Sequence, residues 1–134
     1  MPHLVMLYTR DLDAATDMDA LCRTLCDAML TVKDESGKQV FPTGGTRVLA
    51  YPAAHSAVAD GQRDYSFLYM NVRMAQGRSA AVHKSVGDTL VAAAKAKLAS
   101  LFEQRHIGMT VQVDEGHEVF DAKVSTIHPL FQKS

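Results

Sequence analysis

A chain of 134 residues suits one compact domain or two small fused units, and it can bury roughly two-thirds of its unfolded surface without disulfide or metal staples. Its hydrophobic content of 47% and charged content of 22% belong to a folded globular protein rather than a disordered one. A formal net charge of −1 leaves no basic excess to release counterions, which argues against nucleic acid as the main partner.

Pro2 directly follows the initiator methionine, a position where methionine is ordinarily trimmed. Trimming leaves a secondary amine at the start of the chain. An α-amino group titrates near 8, and burial or neighbouring cations lower that value, whereas a lysine amine rarely becomes neutral at pH 7. Pro2 is therefore a candidate proton acceptor. Residues 3–8 form a short apolar run that predicts a buried strand, with proline tolerable at its first position. Met18, Leu21, Cys22, Leu25, Met29 and Val32 then recur at spacings of three and four, which predicts a helix with an Asp or Thr cap upstream. Cys22 and Cys26, the two cysteines, share one face of that helix. Their spacing matches neither a redox pair nor a zinc knuckle, so both are expected to be small core hydrophobes in a reducing compartment.

Residues 33–45 are polar and glycine-rich and predict a loop, after which residues 46–51 predict a second strand. Asp60-Gly61-Gln62 marks a turn. Residues 65–74 alternate with apolar residues on both faces and give the clearest strand of the chain. Gly77-Arg78-Ser79 follows, with Ser79 placed as an N-cap of a long helix from Ala80 to about Arg105. Residues 107–113 predict a fourth strand, and residues 116–134 a C-terminal hairpin or extended arm.

The order strand, helix, strand occurs twice, in halves of about 1–60 and 61–115. Each interval is long enough for a right-handed parallel crossover. The expected fold is thus a two-layer α+β domain spanning residues 1–134, with duplicated β-α-β units forming a four-stranded sheet and two helices on one face. The opposite sheet face is also apolar, which predicts that other subunits cover it. No leader with a charged start and apolar stretch is apparent, and no apolar run approaches the ~20 residues of a membrane span, so a cytoplasmic location with no membrane partner is expected.

Three arginines bear on Pro2. Arg47 opens the second strand, Arg78 lies between the third strand and second helix, and Arg10 follows the first strand. A guanidinium holds a carboxylate with two parallel hydrogen bonds, keeps its charge when partly buried, and can stabilise a developing dienolate. An amine base among such groups suits an anionic substrate. The six histidines show no metal-ligand spacing, no phosphate loop or nucleophile elbow is present, and Asp13, Asp17 and Asp19 suit a helix start better than metal binding.

Met1-Pro2-His3, Phe41-Pro42 before Gly45 and Arg47, the block Ala59-Asp60-Gly61-Gln62-Arg63-Asp64-Tyr65-Ser66-Phe67, Gly77-Arg78-Ser79 and the closing His128-Pro129-Leu130-Phe131 resemble the 5-carboxymethyl-2-hydroxymuconate isomerases of the tautomerase superfamily. The resemblance covers most of the chain. It implies a cofactor-free, homotrimeric isomerase in homoprotocatechuate degradation, with Pro2 as catalytic base, Arg47 and Arg78 binding a small polycarboxylate, and three sites per trimer. Arg10 matches no such position. The loop at residues 33–40 is longer than the resemblance leads one to expect. The family's tryptophan-bearing stretch becomes Ala50-Tyr51-Pro52-Ala53 in a chain with no Trp, which bears on substrate identity more than on reaction class. Two other readings stay open: a tautomerase for another substrate, such as a phenylenolpyruvate or a haloacrylate, and a non-catalytic trimeric binding module on the same scaffold.

Overall fold

The computed structural model describes residues 2–131. The expected removal of Met1 lies outside these residues, as does the end of the predicted arm.

Strand β1 (His3–Thr9) buries every second side chain: Leu4, Met6 and Tyr8 face the core, while Leu7 points away. This is the period-two pattern of a strand with one covered face. Strand β3 (Tyr65–Met74) repeats it, burying Ser66, Leu68, Met70, Val72 and Met74. β1 and β3 pair antiparallel at the centre of a four-stranded sheet. Strand β2 (Arg47–Ala53) runs parallel to β1 at one edge, and β4 (His106–Glu115) runs parallel to β3 at the other. Each half is therefore a strand, a crossover helix and a parallel strand, as the repeated pattern predicts. β2 extends past the predicted Tyr51 through Pro52, which an edge strand accommodates because proline lacks an amide to donate.

Two main helices cover the inner face. In α2 (Met18–Leu30), Leu21, Leu25 and Met29 are buried, and the Asp17 carboxylate caps the helix by accepting from the Ala20 amide at 3.0 Å. Cys22 packs against this core and Cys26 is half-buried; both are free thiols, and burial pushes the Cys22 thiol up. In α3 (Ala80–Lys97) the Ser79 hydroxyl accepts from the Val82 amide at 3.2 Å, the cap expected from the sequence. A short helix, α1 (Leu12–Ala15), precedes α2; with one turn it leaves no periodic trace in the sequence, yet it buries Leu12. Tyr8 donates to Asp13 at 2.6 Å, and burial together with that carboxylate raises its hydroxyl to about 12.

The expected single helix from Ala80 to Arg105 is two helices. Val82, Val86, Leu90, Ala94 and Leu98 recur every four residues, and each such step overshoots a helical turn by about 40°. The apolar stripe winds around α3 until the chain leaves helical geometry at Leu98, where φ is −103° and ψ 14°. Helix α4 (Ala99–Gln104) starts directly after this break and buries Leu101.

Leu68 is fully buried between the sheet and the helices. Leu68→Ala is expected to cost about 2–5 kcal/mol through lost transfer energy and the cavity left behind. The denaturant midpoint at fixed protein concentration should fall without a change in slope.

Candidate active site

Because β1 and β3 are antiparallel, the start of β1 lies beside the end of β3, with His3 opposite Arg73. Because β2 is parallel to β1, Arg47 lies opposite His3 at the same end. The topology thus gathers Pro2, Arg47, Arg73 and the β3–α3 turn carrying Arg78 at one end of the sheet. Arg10 follows β1 at the opposite end, a seven-residue strand or roughly 23 Å away, in a separate depression with Asp11 and residues 53–56.

Pro2 is buried and lines a cavity of about 390 Å³. Val40, Phe41 and Met74 form its apolar walls, Arg78 faces it from the turn before α3, and Lys123, Ser125 and His128 reach it from the C-terminal arm. Phe41 supplies the aromatic surface in this tryptophan-free chain. The stretch Ala50–Ala53 lies within β2 and takes no part in the cavity.

The long polar loop holds Arg78. Lys33 and Gln39 form an antiparallel bridge closed by a turn in which Gly37 takes a positive φ of 82°. This turn places the Asp34 carboxylate 3.8 Å from one guanidinium nitrogen and the Val40 carbonyl 3.2 Å from another. The Ser36 hydroxyl, the Lys38 and Ser36 amides and Arg78 keep the Asp34 carboxyl below its usual range, so it is anionic at neutral pH. Glu35 is held low in the same sense by the Ser79 hydroxyl, which donates to it. Arg78 is therefore oriented by acceptors on one side, with its remaining donors available to an anion in the cavity.

Arg47 does not line this cavity in the single chain. It sits in an adjoining cleft of about 470 Å³ with His3, Arg73, Glu118 and Asp121. Met74, Ala75 and Lys123 belong to the walls of both spaces and form the partition between them. Arg73 pairs with Glu118 at 3.6 Å. The structure thus brings Pro2 and Arg78 together and puts Arg47 next door.

The arm contributes what the sequence did not reveal. Past β4 it runs without regular structure to a single 3-10 turn, His128–Phe131, making it an extended arm and not a hairpin. The Ser125 hydroxyl accepts from the Ile127 and His128 amides at 3.1 Å each and so caps that turn. The turn packs on the loop at Thr43–Gly45, where a Cβ on Gly44 would stand 2.5 Å from the His128 Cα. Nδ1 of His128 is buried at this contact without a hydrogen-bond partner among the described residues. Gly44 is thus a close-approach glycine, the property behind its place in a loop with no phosphate-binding pattern. Gly44→Ala is expected to push the arm off the cavity and lower kcat/KM by about 10- to 100-fold, a cost typical of ångström-scale misplacement. Limited proteolysis should then cut the arm faster while circular dichroism stays unchanged.

Among the described residues, no group of three or more His, Cys, Asp or Glu side chains is arranged to hold a metal. No helix among them is long and apolar enough to cross a membrane.

Comparison with known proteins agrees with this architecture. The family described as 5-carboxymethyl-2-hydroxymuconate isomerase matches residues 2–131. A crystal structure of 5-carboxymethyl-2-hydroxymuconate delta-isomerase is 56% identical, with a TM-score of 0.96 over 100% of this chain and 95% of that one. The 5-carboxymethyl-2-hydroxymuconate Delta-isomerase of Escherichia coli is 24% identical over 98% of this chain and 100% of its own length. The fold is also that of a fused 4-OT symmetric trimer, at 17% identity and a TM-score of 0.56 over 96% of this chain and 97% of that one. The chain belongs to the 5-carboxymethyl-2-hydroxymuconate isomerase family and is an isomerase.

Proposed function

We propose that the protein shifts a double bond in 5-carboxymethyl-2-hydroxymuconate by a cofactor-independent proton transfer, with Pro2 as the base. The observation that carries this reading is a buried Pro2 sharing one cavity with the Arg78 guanidinium, in a chain of this family. Once Met1 is removed, the Pro2 nitrogen accepts the proton of the substrate's 2-hydroxyl. The oxygen pair forms the C2 carbonyl, the C2–C3 double bond moves to C3–C4, and the C4–C5 pair takes the proton at C5 from the same nitrogen. Proton inventory and charge balance with no redox partner. Arg78 binds a carboxylate and offsets the charge that develops on the oxygen, and the apolar walls strengthen that interaction by excluding water. Arg47 binds a second carboxylate from the adjoining cleft.

The same reading makes the protein a cytoplasmic homotrimer acting on a small polycarboxylate, without nucleic-acid or membrane partners. Residues 1–134 form one domain of two half-units with an arm from residue 116. Leu7, Leu49 and Tyr51 are about half exposed on the uncovered sheet face, which supports burial against other subunits. The fold neighbour's trimer is the arrangement adopted in this proposal.

The test is the loss of dienol absorbance when the Met1-free protein is mixed with 5-carboxymethyl-2-hydroxymuconate at neutral pH. Turnover of this substrate well above that of phenylenolpyruvate and a haloacrylate is expected. Preference for either of those compounds assigns a different tautomerase reaction, and no acceleration over buffer on any of the three leaves a binding module.

A further inference from the structure

We propose that Lys123 determines specificity for the carboxymethyl arm of the substrate. This inference rests on the reading above, in which the substrate carries three carboxylates. Two terminate a conjugated chain and are planar with it; the third hangs on a flexible methylene.

Among the described residues, Lys123 is the only cationic one that lines both the Pro2 cavity and the Arg47 cleft. It stands on the partition between two guanidinium groups, where a branch from a chain spanning the two spaces would pass. The planar forks of Arg78 and Arg47 suit the rigid terminal carboxylates, while an ammonium on a flexible stem suits a mobile one. Arg73, the other cation of the cleft, lines that space alone and does not reach the Pro2 cavity. Lys123 pairs with Asp121, two residues away on the same arm, and both side chains are about half exposed, at 46% and 51%. Such a solvent-exposed pair is weak and easily exchanged. Asp121 therefore acts as a stand-in anion that holds the ammonium at the partition until the carboxymethyl carboxylate replaces it.

The experiment compares the wild-type protein with Lys123→Met and Lys123→Arg. Each is assayed on 5-carboxymethyl-2-hydroxymuconate and on 2-hydroxymuconate, which lacks the carboxymethyl arm. In Lys123→Met, kcat/KM for the tricarboxylate should fall about 10- to 100-fold further than for the dicarboxylate, through KM, as expected for one charge-assisted hydrogen bond. Lys123→Arg should restore most of the difference. Equal losses on both substrates, or a loss confined to kcat, would overturn the assignment. Calorimetric titration with two unreactive compounds, 2-carboxymethyladipate and adipate, separates this inference from the proposed reaction. A preference for the tricarboxylate that disappears in Lys123→Met upholds Lys123 even if turnover is absent, and no preference in the wild-type protein refutes it even if turnover is found.

Discussion

A preparation that keeps Met1 is expected to isomerise its substrate about 10²- to 10⁴-fold more slowly than the processed protein, the share a positioned base contributes. With Met1 attached, the Pro2 nitrogen is an amide whose lone pair is delocalised into the carbonyl. The fold should not respond, because Pro2 precedes β1 and has no amide to give to the sheet. Pro2→Ala gives a graded comparison. Once processed, that variant begins with a primary amine, so it retains some basicity but loses the ring that fills the buried position. The expected order of kcat is processed wild type, then processed Pro2→Ala, then the Met1-retaining chain. Intact mass on each preparation, followed by progress curves, checks the order, and full activity in the Met1-retaining chain would falsify the base assignment.

Arg78→Ala is expected to lower kcat/KM about 100-fold, with at least part of the loss in kcat. In the proposed reaction the guanidinium makes charge-assisted hydrogen bonds to a carboxylate and opposes the charge that grows on the reacting oxygen, so its removal should affect ground state and transition state together. Arg78→Lys should recover only part of this, since an ammonium cannot reproduce the fork held between the Val40 carbonyl and the Asp34 carboxylate. Arg10→Ala should leave the kinetics of a site built at the opposite end of β1 unaltered. Steady-state kinetics on the three variants distinguishes a local role for Arg78 from a general loss of positive charge.

The elements that position the site are those with strong periodic signals. Alternation in residues 65–74 gives β3, the three-four spacing from Met18 gives α2, and Ser79 before an alanine-rich run gives the start of α3. The duplicated order then dictates two parallel pairs, and the antiparallel join of β1 and β3 brings Pro2 to the end of the sheet where Arg47 opens β2 and the β3–α3 turn carries Arg78. What stayed hidden depends on contacts between distant residues. Gly44 and His128 meet across 84 positions of chain, and neither carries a periodic signal. Lys123 and Ser125 lie in an arm whose apolar side chains, among them Val119, Phe120 and Val124, are fully or nearly fully exposed in the single chain, so hydropathy gives no clue to which side of the arm faces the cavity. The helix break at Leu98 has as its trace in the sequence five apolar residues spaced by four, a pattern that a continuous helix also carries. The separation of Arg47 from the Pro2 cavity depends on which sheet face each side chain leaves, and residue type alone does not encode that.

Nitrogen-15 NMR of the processed protein, labelled at proline, tests the central claim most directly. The Pro2 amine resonance should titrate with a single midpoint, and the rising limb of the kcat/KM–pH profile should share that midpoint, because the free base is the active form. An amine that remains protonated across the pH range in which the enzyme works at full rate would contradict the account.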